Sequence, residues 1–285
     1  MLHRLTQTVA GPIDSTLASE AGRFRFRIPS DTGVVYLISA RWAGIEYFSE
    51  PLRGGPFDRA AALTLLVADT SSTTPVSVVA RYVIIGAPDA ARNRTAIDLF
   101  VLRNSGYATR VGPDSMTPTW RHVLPPGTGA GSTGAPGSEI SPEAIRFAGD
   151  TVMVFAPLSP GDKQLLIQHT LPGSLSRLPL PLGEGADTLQ VVAEEEGVVV
   201  RGLDPAPSQI LDGRPLARWR ADRRTDGRPD GLTDGEVIIT FPGDSTAERW
   251  VVPLLAALAA FVMLGAGLLA GRHRPSVRPS VRPSV

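Results

Sequence analysis

Residues Gly22–Ile28 read GRFRFRI, and this short stretch decides how the rest of the chain is read. Arg23, Arg25 and Arg27 alternate with Phe24, Phe26 and Ile28. An extended backbone puts the three guanidinium groups on one side and the three large apolar groups on the other. A helix would scatter the same residues around its axis. The alternation therefore predicts a strand half-buried against a core, and with it a mainly β protein.

Working outward, the same pattern recurs. Val34–Trp42 follows an Asp31-Thr32-Gly33 turn, and Ile45–Phe48 follows Ala43-Gly44. Further strands are expected at Ala62–Val67, Val76–Gly86, Ala96–Arg103 and Thr119–Leu124. Nothing before residue 250 has the apolar periodicity of an amphipathic helix. Short strands separated by turns point to an antiparallel β-sandwich over residues 1–124. Pro125–Ser138 (PPGTGAGSTGAPGS) reads as a linker. A second β-rich segment over 139–245 then offers Ala144–Phe147, Thr151–Pro157, Gln164–Leu171, Thr188–Glu194, Gly197–Gly202, Ala217–Ala221 and Glu236–Phe241. In Gln164–Leu171, Leu165, Ile167 and His169 share one face. Two antiparallel sandwiches are the expected arrangement, with one domain carrying a long insertion as the alternative.

Trp250–Gly271 (WVVPLLAALAAFVMLGAGLLAG) differs in kind: it is uncharged and almost wholly apolar. As a helix it would be roughly 30 Å long, the hydrocarbon thickness of a bilayer. It shows no polar stripe of the sort a soluble core helix carries. The tail over 272–285 holds Arg272, Arg274, Arg278 and Arg282 and no acid, whereas Asp244 and Glu248 accompany Arg249 on the other side. Basic flanks stay in the cytoplasm, so a single-pass inner-membrane protein is expected, with its bulk periplasmic and its RPSV-repeat tail cytoplasmic and disordered. Trp250 suits the interfacial belt, and Pro253 sits in the first turn where a missing N–H is tolerated. Ala256, Ala260, Gly267 and Gly271 make a small-residue stripe on which another helix could pack. Such a topology requires an export signal. Met1–Ile28 has no apolar stretch of that length, so the native start is expected to lie upstream.

Composition narrows the function classes. Among 285 residues the formal net charge is +0, which gives no electrostatic case for nucleic acid. There are no cysteines, excluding disulfides, thiolate metal sites and a cysteine nucleophile. Lys163 is the only lysine, and the scattered arginines are balanced by acids.

Ser19–Leu52 (SEAGRFRFRIPSDTGVVYLISARWAGIEYFSEPL) resembles the carboxypeptidase regulatory-like, transthyretin-type β-sandwich. The matching positions are Gly22, Phe24, Phe26, Tyr36 and Gly44, and the resemblance covers about the first third of the chain. It implies a non-catalytic binding or structural module with no catalytic residue to transfer. That family's opening strand and Gly-rich turn would lie upstream of Leu2, in line with the expected longer N-terminus.

No catalytic, cofactor or metal site is expected. Gly129, Gly131 and Gly134 satisfy GxGxxG, but without the strand before and helix after that cradle a pyrophosphate. Asp226, Asp230 and Asp234 are each followed by glycine, as in tight turns, and do not alternate as calcium-loop acids do. His3, His122, His169 and His273 lack metal-ligand spacing, and His169 reads as a surface or satisfied core residue. Glu194–Glu196 reads as a solvated loop. The function expected is an accessory or scaffold subunit of a bacterial membrane complex, with respiratory or photosynthetic electron transfer as candidate hosts and other subunits as partners. The alternative is a surface carbohydrate- or ligand-binding module that would use Trp42, Tyr47 and Phe48 on one hairpin.

Overall fold

The computed structural model describes residues 1–6, 8–28, 31, 33–53, 63–126, 131, 138–183, 185–211, 214–222 and 237–242. The apolar run with Ala256, Ala260, Gly267 and Gly271, the basic tail, the Asp226/Asp230/Asp234 loop and most of 125–138 lie outside these residues. Among the described residues no helix is long and apolar enough to cross a membrane. What is described is mainly β, in several sheets, with one short 3-10 turn at Pro142–Ala144.

The N-terminal sheet contains β1 (Leu2–Leu5), β2 (Ala10–Asp14), β3 (Val35–Trp42), β4 (Ile45–Phe48) and the two-residue β5 (Leu52–Arg53). Its order is β2-β1-β3-β4, with β5 also on β3. Ala43 and Gly44 both have positive φ, 47° and 82°, and join Trp42 directly to its partner Ile45. That is the primed two-residue hairpin whose twist matches the strands it connects.

Gly22–Ile28 forms no ladder, contrary to the expected strand. Its alternation is nevertheless real: Phe24, Phe26 and Ile28 pack half-buried on a cluster of Leu2, Val34, Tyr36 and Ile38, while Arg23, Arg25 and Arg27 are exposed. β1 occupies one edge of β3, and β4 with β5 occupies the other. The segment is thus held by side-chain burial across the face instead of by backbone pairing. Leu63–Val67, the described part of another expected strand, is likewise outside any sheet.

The larger body is sandwich-like. One layer is a six-stranded sheet ordered β13-β8-β7-β15-β18-β17. Its strands are β7 (Val76–Ile85), β8 (Arg94–Asn104), β13 (Gly161–Leu171), β15 (Ala186–Ala193), β17 (Asp204–Leu211) and β18 (Arg214–Asp222). Two three-stranded sheets contribute the side chains that pack on it. In one, β12 (Thr151–Val154) lies between β10 (Trp120–Val123) and β11 (Ile145–Ala148). In the other, β19 (Val237–Thr240) lies between β14 (Arg177–Leu180) and β16 (Val199–Arg201). A parallel pair, β6 (Thr70–Ser71) with β9 (Thr109–Arg110), completes the set among the described residues.

Two expectations change. The six-stranded sheet is mixed, because β7 and β15 run parallel while its other neighbours are antiparallel. Strands from both sides of residues 125–138 also interleave: β7 and β8 sit between β13 and β15, and β10 pairs with β12. The division into 1–124 and 139–245 therefore cuts through these sheets. The physical reason is burial, since the apolar faces of β7 and β8 are covered by side chains from strands later in the chain.

Candidate functional site

On the inward face the side chains of β8 and β13 alternate strictly, those of β7 do so on either side of a register shift between Val78 and Ala80, and they fall into two apolar clusters. The first includes Val83 and Ile85 of β7, Ala96 of β8 and Leu171 of β13, packed with Leu178, Leu180, Val237 and Ile239. The second includes Phe100 and Leu102 of β8 and Leu165 and Ile167 of β13, packed with Leu124, Ile145, Val152 and Val154. Val76 and Val78 of β7 join the second cluster from its margin. Each of the three strands places one polar residue between the clusters: Arg81, Asp98 and His169.

The register makes these three a diagonal. Asp98 lies opposite Val83 and Ile167, while Arg81 lies opposite Phe100 and His169 opposite Ala96. Diagonal neighbours across paired strands are within reach of long side chains. Arg81 Nε donates to Asp98 Oδ1 at 2.8 Å, and Nη2 donates to Oδ2 at 2.5 Å. Nη1 donates to the Pro181 carbonyl, 2.5 Å away, just beyond β14. The guanidinium carbon lies 5.0 Å from the Phe100 ring centroid. Both members of the ion pair are buried, with side chains 2% and 3% exposed.

His122 enters this seam from β10, in the opposite layer. Its ring is stacked on Trp120 at 5.8 Å and 2°, and meets Phe100 edge-on at 4.9 Å. It also hydrogen-bonds the Pro181 carbonyl, so that one acceptor serves both His122 and Arg81. Its Nε2 and both ring nitrogens of His169 are buried without a hydrogen-bond partner among the described residues. Burial, with Arg81 adding to it, pushes His122 down to about 4 against the opposing pull of Asp98 and the carbonyl. Burial lowers His169 as well, Asp98 opposing and Arg81 reinforcing. Both imidazoles are therefore neutral at pH 7. His169 is not the surface or satisfied core residue expected from the sequence.

The arrangement can order the structure. Asp98 spends both oxygens on Arg81, and all four polar residues are buried. No group of three or more potential metal ligands occurs among the described residues. What the seam does is specify the register of β7 on β8, since sliding either strand would leave an unpaired charge in an apolar layer. Gly183 closes it with φ +61°, and a Cβ there would come within 2.9 Å of His122 Nδ1. Gly183→Ala combines left-handed strain with a collision against a packed ring, and is expected to lower stability by about 1–3 kcal/mol in urea melts. An unchanged midpoint would remove Gly183 from the seam.

A second buried pair sits where solvated acids were expected. Within Glu194–Glu196, Glu196 is exposed, but Glu195 is buried and accepts Arg94 Nε at 2.6 Å and Nη2 at 3.0 Å. Arg94 also lies 4.5 Å over the Phe241 ring. Glu194 accepts the Ala87 amide at 3.1 Å.

The three residues expected on one surface are not together. Trp42 and Tyr47 belong to the β3–β4 face shared with Ala40 and Ile45, whereas Phe48 shares the opposite face with Ser39. Trp42 and Phe48 are half exposed, but Tyr47 is buried, its hydroxyl donating to the Ala68 carbonyl and bonded to Thr109 Oγ1, both at 2.7 Å. Trp42 Nε1 donates to Asp69. On the Phe48 face, His3, Ser39 and Glu46 have the residue types of a nucleophilic triad without its order. Ser39 Oγ donates to Glu46 at 2.7 Å and meets His3 Nε2 at 2.8 Å. In a triad the acid orients the histidine and leaves the hydroxyl proton for the imidazole; here the acid takes that proton itself. Gly131, the described glycine of GxGxxG, packs so closely that a Cβ would meet Ile167 at 2.6 Å and the His169 ring at 3.1 Å. Its glycine character is explained by sheet packing without any nucleotide.

No protein-family model matches this chain, and no curated protein matches it either.

Proposed function

We propose that the chain is a non-catalytic scaffold subunit whose β body is held outside the cytoplasm of a bacterial cell by a single helix over Trp250–Gly271. The observation that carries this reading is that run itself: uncharged, long enough to cross a bilayer, and followed by arginines without acids. Ala256, Ala260, Gly267 and Gly271 recur at intervals of four, seven and four residues, which keeps them on one helical stripe. Such a stripe lets a second helix approach closely, so the partner is another subunit's transmembrane segment. A respiratory or photosynthetic electron-transfer complex is the proposed host. The buried, mutually satisfied Arg81–Asp98 pair favours a structural role over a catalytic one. The resemblance of Ser19–Leu52 to the carboxypeptidase regulatory-like sandwich points the same way.

The test is native purification from membranes in mild detergent. The wild-type chain is expected to carry a partner in fixed stoichiometry, and Gly267→Leu with Gly271→Leu is expected to release that partner while the chain stays membrane-bound. A partner-free wild-type monomer that retains glycans would overturn the subunit reading in favour of a surface ligand-binding module.

A further inference from the structure

We infer that Arg23–Ile28 is a strand-addition edge for an extended, acidic segment of a partner protein. The inference stands independently of the membrane anchor.

Three observations meet at this segment. Its apolar side is fixed, because Phe24, Phe26 and Ile28 pack on Leu2, Val34, Tyr36 and Ile38. Its start is fixed too: Ser19 N donates to the Arg23 carbonyl at 3.0 Å, and Arg23 N donates to Ser19 Oγ at 3.1 Å. Beyond that turn, Phe24–Ile28 forms no hydrogen bond with any described residue. An anchored backbone whose N–H and C=O groups are unpaired among the described residues is a template on which another strand can add.

The charges select what can add. Arg23, Arg25 and Arg27 are exposed, and none is in an ion pair with a described residue. On an extended chain they stand about 6.6–6.8 Å apart, the repeat of alternate residues in a partner strand. A second copy of GRFRFRI pairing here would set arginine against arginine, which is destabilising. The row therefore blocks self-association, and it favours a partner with carboxylates at i, i+2 and i+4. The intervening partner residues would face the side where Phe24 and Phe26 are buried, so they should be apolar. The partner's motif is an acidic–apolar alternation of about five residues.

The experiment uses the full chain in detergent and fluorescent, end-blocked peptides. One alternates Glu and Val, one has the same composition in two blocks, and one alternates Lys and Val. The alternating acidic peptide is expected to bind at least tenfold more tightly than the block peptide. N-methylation of alternate backbone amides should abolish its binding. The triple variant Arg23→Glu, Arg25→Glu, Arg27→Glu should invert the preference toward the Lys–Val peptide; these side chains are exposed, and an unchanged far-UV spectrum will confirm folding. Equal binding of block and alternating peptides would overturn the inference, reducing the row to diffuse charge. So would the absence of binding by every peptide.

Discussion

Replacing Asp98 by alanine will destabilise the folded protein by about 3–5 kcal/mol, the cost of leaving one member of a buried ion pair without its partner. Arg81 cannot escape to solvent from its position between the clusters, and its remaining acceptor, the Pro181 carbonyl, carries no full charge. In a body of this size the loss corresponds to a fall in Tm on the order of 10 °C. The paired substitution Arg81→Met with Asp98→Leu removes both charges and leaves apolar side chains to join the clusters on either side. It is expected to recover most of the loss, because a buried pair is often replaceable by hydrophobic residues of similar volume. Urea denaturation of the three proteins, monitored by tryptophan fluorescence, checks both statements. A single variant that loses less than about 1 kcal/mol, the size of a surface pair, would show that the pair is solvated in solution.

Mild acid will destabilise the protein before most of its carboxylates are protonated. His122 is neutral in the folded state down to about 4, whereas an unfolded histidine titrates near its usual 6.5. A histidine with a lowered folded pKa contributes stability that is present above 6.5 and is lost as pH falls through the interval toward 4. At about 1.4 kcal/mol per pH unit of difference, the loss is roughly 3 kcal/mol. His169, lowered in the same direction, adds to it. His122→Phe retains the ring contacts with Trp120 and Phe100 and removes the titration, so its stability should vary less with pH than that of the parent. Denaturation midpoints measured from pH 7.5 to 4 read this out. A parent midpoint that is level between pH 6.5 and 5 would contradict the burial of His122.

The sequence made much of this body legible and hid the rest for identifiable reasons. The Phe24–Phe26–Ile28 alternation named its buried face correctly, and Ile45–Phe48 came out with both ends right, because local side-chain period is what a strand imprints on a chain. Three of the strands that were not expected contain proline, a residue that weakens the local strand signal: β2 contains Pro12, β14 contains Pro179 and β17 contains Pro205 and Pro207. All three lie at sheet edges, the positions in a sheet where proline is tolerated. Sheet order was the larger failure. Nothing in Val76–Ile85 announces that its two neighbours will be β8 and β15, the latter arriving about a hundred residues later.

The seam left a trace that can be read in retrospect. Arg81 in VVARYVII, Asp98 in AIDLFVL and His169 in LLIQHTL each interrupt the apolar parity of a strand otherwise fit to be buried. A lone charge at such a position signals either a solvated face or a buried pair. Only the register, which brings Arg81 and Asp98 onto one diagonal, decides between them. The Trp42, Tyr47 and Phe48 grouping failed for the converse reason: adjacency in the chain puts Tyr47 and Phe48 on opposite faces of a strand.

The proposed anchoring has a direct test because the chain has no cysteine of its own. Two single-cysteine proteins, Ser245→Cys before the apolar run and Ser280→Cys in the tail, are treated in intact spheroplasts with a membrane-impermeant maleimide. Labelling of Ser245→Cys alone, with Ser280→Cys reacting only after the membrane is permeabilised, is the predicted result. Labelling of both before permeabilisation, or recovery of the protein in the soluble fraction, would contradict a helix crossing the membrane between them.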